Sequence, residues 1–157
     1  MAPPRQQLPL LSPDAARSRM MAAVKNKNTA PERRVRRVLF RAGYRYRIHA
    51  GTLPGSPDIW FRAYDAVIFV HGCFWHHHDC PKGSRLPKRN ALYWQEKIRR
   101  NVQRDARVRC ELHECGVRVL YVWECALTGK GRLSEGALLQ EMAAFLHDSS
   151  VMCAELP

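Results

Sequence analysis

Apolar residues recur with the period of an α-helix in four segments of the chain. Residues suited to helix ends bound these segments, among them the capping box of Thr29 and Glu32 and the terminal glycine Gly116. The pattern predicts helices over about residues 12–24, 30–42 and 90–115, and a last helix that begins after Ser134.

Shorter apolar runs separated by turn residues predict β-strands. We expect strands at Tyr44–His49, Asp58–Phe61, Ala66–Val70 and Val117–Val122. The run from Ala66 to Val70 is apolar throughout, which is typical of a strand buried on both faces. The chain is therefore predicted to be a single α/β domain with a central mixed β-sheet flanked by helices.

The 157 residues match the size of one ordinary domain. We expect a flexible N-terminal arm over residues 1–12, a folded domain over residues 13–150 and a C-terminal tail over residues 151–157. Neither a signal peptide nor an apolar run of about 20 residues is evident, so we expect a cytoplasmic protein with no membrane contact. We also expect a monomer.

Positive charge is concentrated in two blocks of the chain. The formal net charge is +12, and the excess lies in residues 1–50 and 82–109. Such blocks either cover solvated helix faces or form a surface that binds phosphates. They make a polyanion the first partner to consider, although charge alone does not separate DNA from RNA.

Cysteine and histidine are unusually dense between residues 71 and 80. Cys73, His78 and Cys80 supply three ligands of the type that a tetrahedral zinc site requires. Cys125, which follows an apolar strand, is the best candidate for the fourth ligand. Spacing alone leaves His76 or His77 as substitutes for His78. Three further cysteines are poorer candidates: Cys110, Cys115 and Cys153.

Two acidic residues stand at positions that need an explanation. Asp58 begins a strand, where its carboxylate and a backbone carbonyl of the next strand could bind Mg²⁺, although it could also be a simple turn residue. Asp105 falls on the apolar stripe of the long helix. A carboxylate there needs a fixed partner, either a histidine of the cluster or an arginine.

Four segments together closely resemble the Vsr mismatch endonuclease family. They are PGSPD at 54–58, FVHGCFWHHHDC at 69–80, the pattern YWxxKIxxNVxxD at 93–105, and VWECAL at 122–127. The resemblance implies a restriction-endonuclease-like fold. It also implies a Mg²⁺-dependent enzyme that nicks DNA 5′ of the T in T:G mismatches, which arise by deamination of 5-methylcytosine.

The resemblance also implies catalytic roles. Asp58 and the backbone carbonyl of Val70 would bind Mg²⁺, and His71 would occupy the place of a lysine in related nucleases. His76 would be the general base, oriented by Asp105. Glu32 matches a family acid near the active site.

Further implied roles concern zinc and DNA. Cys73, His78, Cys80 and Cys125 would hold a structural zinc. An aromatic wedge would enter the base stack, Met21 would enter from the minor groove, and two polar residues would contact the DNA. The wedge consists of Phe74, Trp75 and Trp94, and the polar residues are Lys97 and Asn101. The expected partners are mismatched double-stranded DNA, with a functional link to mismatch-repair proteins and a cytosine-5 methyltransferase.

The chain departs from the family pattern at Val70, where threonine is usual, at Asp79, where histidine is usual, and in its longer, proline-rich arm. Phe74 and Trp75 could also be core residues. Two other functions fit the same residues. One is a restriction-type endonuclease that makes double-strand cuts, and the other is a non-catalytic, zinc-stabilised DNA-binding module.

Overall fold

A five-stranded mixed sheet in the order β1-β2-β3-β4-β5 forms the centre of the molecule. A computed structural model of the chain describes residues 19, 21, 23–24 and 26–157. The strands are β1 (Arg47–Ile48), β2 (Ile59–Phe61), β3 (Ala66–His71), β4 (Arg118–Trp123) and β5 (Cys153–Leu156). The predicted N-terminal arm and most of the helix predicted over 12–24 lie outside the described residues.

In the part of the chain that the structure describes, the sheet is flanked by the helices α1 (Ala30–Arg41), α2 (Ala91–Glu114), α3 (Glu124–Leu127) and α4 (Glu135–His147). The predicted caps are confirmed, since Thr29 and Ser134 accept hydrogen bonds from the first turns of α1 and α4. The strand predicted over Tyr44–His49 is only the two residues of β1. The α/β class and the mixed sheet are also confirmed.

The residues expected to form a C-terminal tail instead form a strand, so the interpretation of 151–157 as a tail is wrong. Strand β5 pairs parallel to β4, with Val122 opposite Leu156. Leu156 is buried against the core, and this burial helps to hold the segment against β4 as a strand. The signal in the sequence is weak because the strand has four residues and an exposed Glu155 in its middle.

The sheet separates two apolar clusters. Residues of α1 and α4, including Val35 and Leu138, pack on one face. Residues of α2, including Val108 and Leu112, pack on the other. The parallel neighbours β3 and β4 are joined by α2, as parallel strands require a crossover connection.

Helix α2 has 24 residues and buries only a narrow stripe, made of Trp94, Ile98, Val108 and Leu112. Val102 lies outside this stripe and is 42% exposed. The remaining surface of α2 is rich in arginine. Within the described part of the chain, no helix combines the length and apolar character needed to cross a membrane.

Candidate active site and metal centre

A cleft of about 900 Å³ opens where the ends of β3 and β4 meet α2 and the start of α1. Parallel pairing aligns His71 with Trp123, so both strands end at this cleft. Ten of the residues singled out in the sequence line it. They are Met21, Glu32, Asp58, Val70, His71, Trp75, His76, Lys97, Asn101 and Asp105.

Asp58 directly precedes β2 and lies beside Val70 of β3, the antiparallel neighbour of β2. The backbone N–H of Val70 donates to Oδ2 of Asp58 over 2.7 Å. Burial raises the pKa of Asp58 to about 6, opposed by the Val70 hydrogen bond and reinforced by the nearby charge of Glu32. The Asp58 carboxyl is therefore ionised above about pH 6.

Glu32 lies beside Asp58 although it belongs to α1. Its carboxylate accepts from the Asn28 N–H over 2.9 Å and from the Thr29 hydroxyl over 3.0 Å at the start of the helix. His49 joins them, and one ligand atom from each of Glu32, His49 and Asp58 lies within 4.8 Å of the others.

His49 was not predicted from the sequence to be a site residue. The residue follows β1 directly, and its N–H donates to the Asp58 carbonyl over 3.3 Å. The antiparallel register of residues 47–48 with 59–60, had it been known, would have predicted His49 beside Asp58.

His71, His76 and Asp105 form the second group in the cleft. Nδ1 of His76 lies 2.5 Å from Oδ2 of Asp105, so the partner of this carboxylate is a histidine of the cluster, as expected, and not an arginine. The rings of His71 and His76 stack with their centroids 3.7 Å apart and an interplanar angle of 10°. Burial, His76 and Arg104 lower the pKa of His71 well below its ordinary value, which keeps this ring neutral.

Cys73, His78, Cys80 and Cys125 form a separate group beside the cleft, and their ligand atoms all lie within 4.8 Å of one another. His78 is thereby distinguished from His76, which pairs with Asp105, and from the exposed His77. Three thiols and one imidazole are a donor set that suits a tetrahedral zinc ion. Cys110, Cys115 and Cys153 lie outside this group.

The loop that carries Cys73, His78 and Cys80 is tightly packed. The Gly83 N–H donates to Sγ of Cys80 over 3.4 Å. A Cβ atom at Gly83 would lie 1.9 Å from the carbonyl oxygen of His78, so only glycine fits there. A hydrogen bond to a thiol sulfur is a common support for a metal ligand.

Three aromatic rings stand together at the cleft's edge, with Phe74 and Trp75 packed against Trp94. Their centroids are 5.1 to 5.9 Å apart. Phe74 and Trp75 are half-buried, whereas Trp94 is only 2% exposed and supports them from α2. Of the three residues expected to act as a wedge, Phe74 and Trp75 therefore reach the surface, whereas Trp94 is buried.

Lys97 and Asn101 hold this aromatic group from the same face of α2. The Lys97 ammonium lies 5.3 Å from the centroid of the Trp75 ring. The Asn101 side-chain amide donates to the Trp75 carbonyl over 2.9 Å. Both residues also line the cleft, as does Met21.

A carboxylate and a paired imidazole in one cleft of a strongly basic chain fit an enzyme that hydrolyses phosphodiesters. The family model described as DNA mismatch endonuclease Vsr matches residues 11–82. The chain is 42% identical over 132 residues to the DNA mismatch endonuclease Vsr of Escherichia coli (strain K12), and the match covers 84% of each chain.

Two further relatives are type II nicking enzymes. Identity to V.XorIIP of Xanthomonas oryzae pv. oryzae is 48% over 123 residues, which cover 78% of this chain and 89% of that one. Identity to V.NmeAIP of Neisseria meningitidis is 45% over 114 residues, which cover 73% and 81%. The chain belongs to the DNA mismatch endonuclease Vsr family.

Proposed function

We propose that this protein is a DNA mismatch endonuclease that nicks one strand of a duplex in mismatch repair. Family membership supports the activity. The assignment of the active site rests on the His76–Asp105 pair, which lies in the same cleft as Asp58. We infer further that the substrate is a T:G mismatch formed by deamination of 5-methylcytosine, and that the break falls 5′ of the T.

Asp58 and the backbone carbonyl of Val70 are the groups that would hold Mg²⁺. They fit this ion because it needs only one or two protein oxygens and keeps the rest of its shell for water and phosphate. When bound, Mg²⁺ neutralises phosphate charge and stabilises the leaving oxygen. Since only the carbonyl of residue 70 is required, valine in place of threonine is compatible with this role.

His76 is the proposed general base. Because its Nδ1–H donates to Asp105, the neutral ring has its lone pair on Nε2. That nitrogen can take a proton from the water that attacks the phosphorus. The Asp105 carboxylate holds this tautomer and stabilises the imidazolium that results.

His71 stacks on His76 and, being neutral, differs from the lysine of related nucleases. We infer that it holds the His76 ring in place and offers a hydrogen bond to a phosphate oxygen. Glu32 ties the first turn of α1 to the cleft, and its negative charge adds to that of Asp58 where a cation would bind.

Cys73, His78, Cys80 and Cys125 are proposed to hold one zinc ion. Four protein ligands leave no open position, so the role is structural and not catalytic. Burial raises the pKa of Cys73, which means that metal binding must displace a proton from this thiol.

Phe74 and Trp75 are proposed to test the stacking of the duplex, with Trp94 beneath them as support. Separating a base step costs a few kcal/mol, and stacking on an aromatic ring returns about 1–3 kcal/mol per base. Insertion is therefore favoured where the step is already weakened by a mismatch. Met21, Lys97 and Asn101 line the same cleft and are proposed to contact the DNA around this point.

Affinity for the duplex comes mainly from charge. The net charge of +12 includes a row of exposed arginines on α2, and neutralising phosphates with such residues releases counterions. We further propose a restriction-endonuclease-like fold, action as a monomer, and a functional link to a cytosine-5 methyltransferase and mismatch-repair proteins.

A nicking assay tests the proposal. Matched T:G and T:A duplexes, labelled on both strands, are incubated with the protein with and without Mg²⁺. We expect one nick, 5′ of the T, in the T:G duplex only and only with Mg²⁺. Double-strand breaks in both duplexes would indicate the restriction-type alternative, and binding without cleavage would indicate the DNA-binding module.

A further inference from the structure

Trp123, the last residue of β4, lies between the thiol-rich cluster and the two stacked histidines. Its ring is nearly parallel to that of His78, with a centroid distance of 4.3 Å and an interplanar angle of 19°. The Trp123 centroid also lies 5.5 Å from that of His71 and 6.4 Å from that of His76. One indole therefore contacts both groups of site residues.

A hydrogen bond to β5 holds this indole. Nε1–H of Trp123 donates to Oε2 of Glu155 over 3.0 Å. Glu155 pairs in register with Tyr121, so its side chain lies on the same face of the sheet as those of Tyr121 and Trp123. Trp123 is only 8% exposed, and loss of Glu155 would leave a buried N–H without this acceptor.

We propose that Trp123, oriented by Glu155, is a positioning residue that sets the placement of the His71–His76 pair relative to the zinc-binding cluster. The inference rests on the proposed function, because it assigns His76 the role of general base. A base must be held within about 0.5 Å of its productive position. His76 is fixed by Asp105 at one edge, and His71, which stacks on its face, is in turn packed against Trp123.

Strand β5 thereby takes part in catalysis from the edge of the sheet. Glu155 touches neither DNA nor metal in this scheme and acts only through the indole. A substitution that removes its acceptor oxygen should slow the chemical step without weakening the binding of DNA. Glutamine retains an amide oxygen that can accept the same hydrogen bond.

The experiment compares Glu155→Ala, Glu155→Gln and the control Glu141→Ala, which removes one negative charge from an exposed position on α4. Nicking of a T:G duplex gives kcat and KM, metal analysis gives zinc content, and ¹⁵N NMR reports the Trp123 Nε1–H and the imidazole rings. We expect Glu155→Ala to lower kcat about 3- to 10-fold, the range that loss of one hydrogen bond predicts. KM and zinc content should stay unchanged, and the Trp123, His71 and His76 signals should move.

Glu155→Gln should restore both kcat and the NMR signals, and Glu141→Ala should match the wild type. The inference is overturned if Glu155→Ala keeps wild-type kcat and imidazole signals, if its kcat falls only together with zinc loss, or if glutamine fails to rescue. A wild-type protein that does not nick T:G duplexes would refute the proposed function. The NMR comparison would still test whether Glu155 sets the histidine positions.

Discussion

His76 and Asp105 meet through a hydrogen bond of 2.5 Å between Nδ1 and Oδ2, although 29 residues separate them in the chain. The bond joins the loop that follows β3 to the middle of α2, and both side chains are largely shielded from solvent. It selects the imidazole tautomer whose Nε2 can accept a proton.

Asp105→Asn tests this relationship. An amide can still hydrogen-bond to the ring, but it neither selects the same tautomer nor stabilises the imidazolium. We expect the single-turnover nicking rate to fall roughly 100- to 10,000-fold, the range usual for loss of general base catalysis, while affinity for the T:G duplex stays within about twofold. A nicking rate within tenfold of the wild type would contradict the assigned role.

Cys125→Ser tests the metal centre. We expect the variant to lose zinc and to melt at a lower temperature, because the proposed ion would link the loop after β3 to α3, which follows β4. Metal analysis and thermal melting give the result. Cys110→Ser, at an exposed position on α2, is the matched control and should keep both zinc content and melting temperature. Full zinc content in Cys125→Ser would show that another residue completes the site.

Asp58→Asn is expected to stabilise the metal-free fold. The folded-state pKa of Asp58 is about 6, above its ordinary value of 3.8, because the carboxyl is buried. Ionisation of Asp58 is therefore unfavourable in the folded state. The free energy of unfolding is highest below about pH 4, where the carboxyl is protonated, and this stability is lost as the pH rises through 6. Asparagine is neutral at every pH and keeps an oxygen for the Val70 N–H.

Denaturant unfolding in magnesium-free buffer measures this effect. At pH 7.5 the variant should exceed the wild type in unfolding free energy by about 1–3 kcal/mol. The gain should shrink towards zero as the pH falls from 6 to 4. A variant that is less stable at pH 7.5, or a gain that does not depend on pH, would argue against a raised pKa at this position.

Trp75→Ala tests the sensing of the mismatch. Removal of the ring should reduce the preference for T:G over T:A duplexes by about tenfold or more, since one base–aromatic stack contributes about 1–3 kcal/mol. Phe40→Ala removes an exposed ring on α1 that lies outside the residues lining the cleft, and it should leave the preference unchanged. Loss of zinc or unfolding in Trp75→Ala would instead make Trp75 a core residue.

Local patterns predicted much of this structure because short-range chemistry determines it. The capping residues Thr29 and Ser134 begin their helices where expected. The run from Ala66 to Val70 forms most of a central strand. The dense spacing from Cys73 to Cys80 predicted a metal-binding group, and the strand before Cys125 predicted the fourth member.

Features that depend on distant pairing were not predicted. Strand β5 is short and forms only because β4 offers a free edge, and no local signal marks Glu155 as the acceptor for Trp123. His49 reaches Asp58 through the register of β1 with β2. The burial of Trp94 beneath Phe74 and Trp75 depends on how α2 packs against the loop.

The most direct test of the central claim is the nicking activity of Asp58→Ala on a T:G duplex in Mg²⁺, measured beside its affinity for the same duplex. Asp58 is proposed to hold the catalytic metal, whereas affinity comes from the basic surface and the aromatic rings. We predict that nicking is abolished while binding stays close to that of the wild type. Nicking at more than a few percent of the wild-type rate would contradict the assignment of this cleft as the active site.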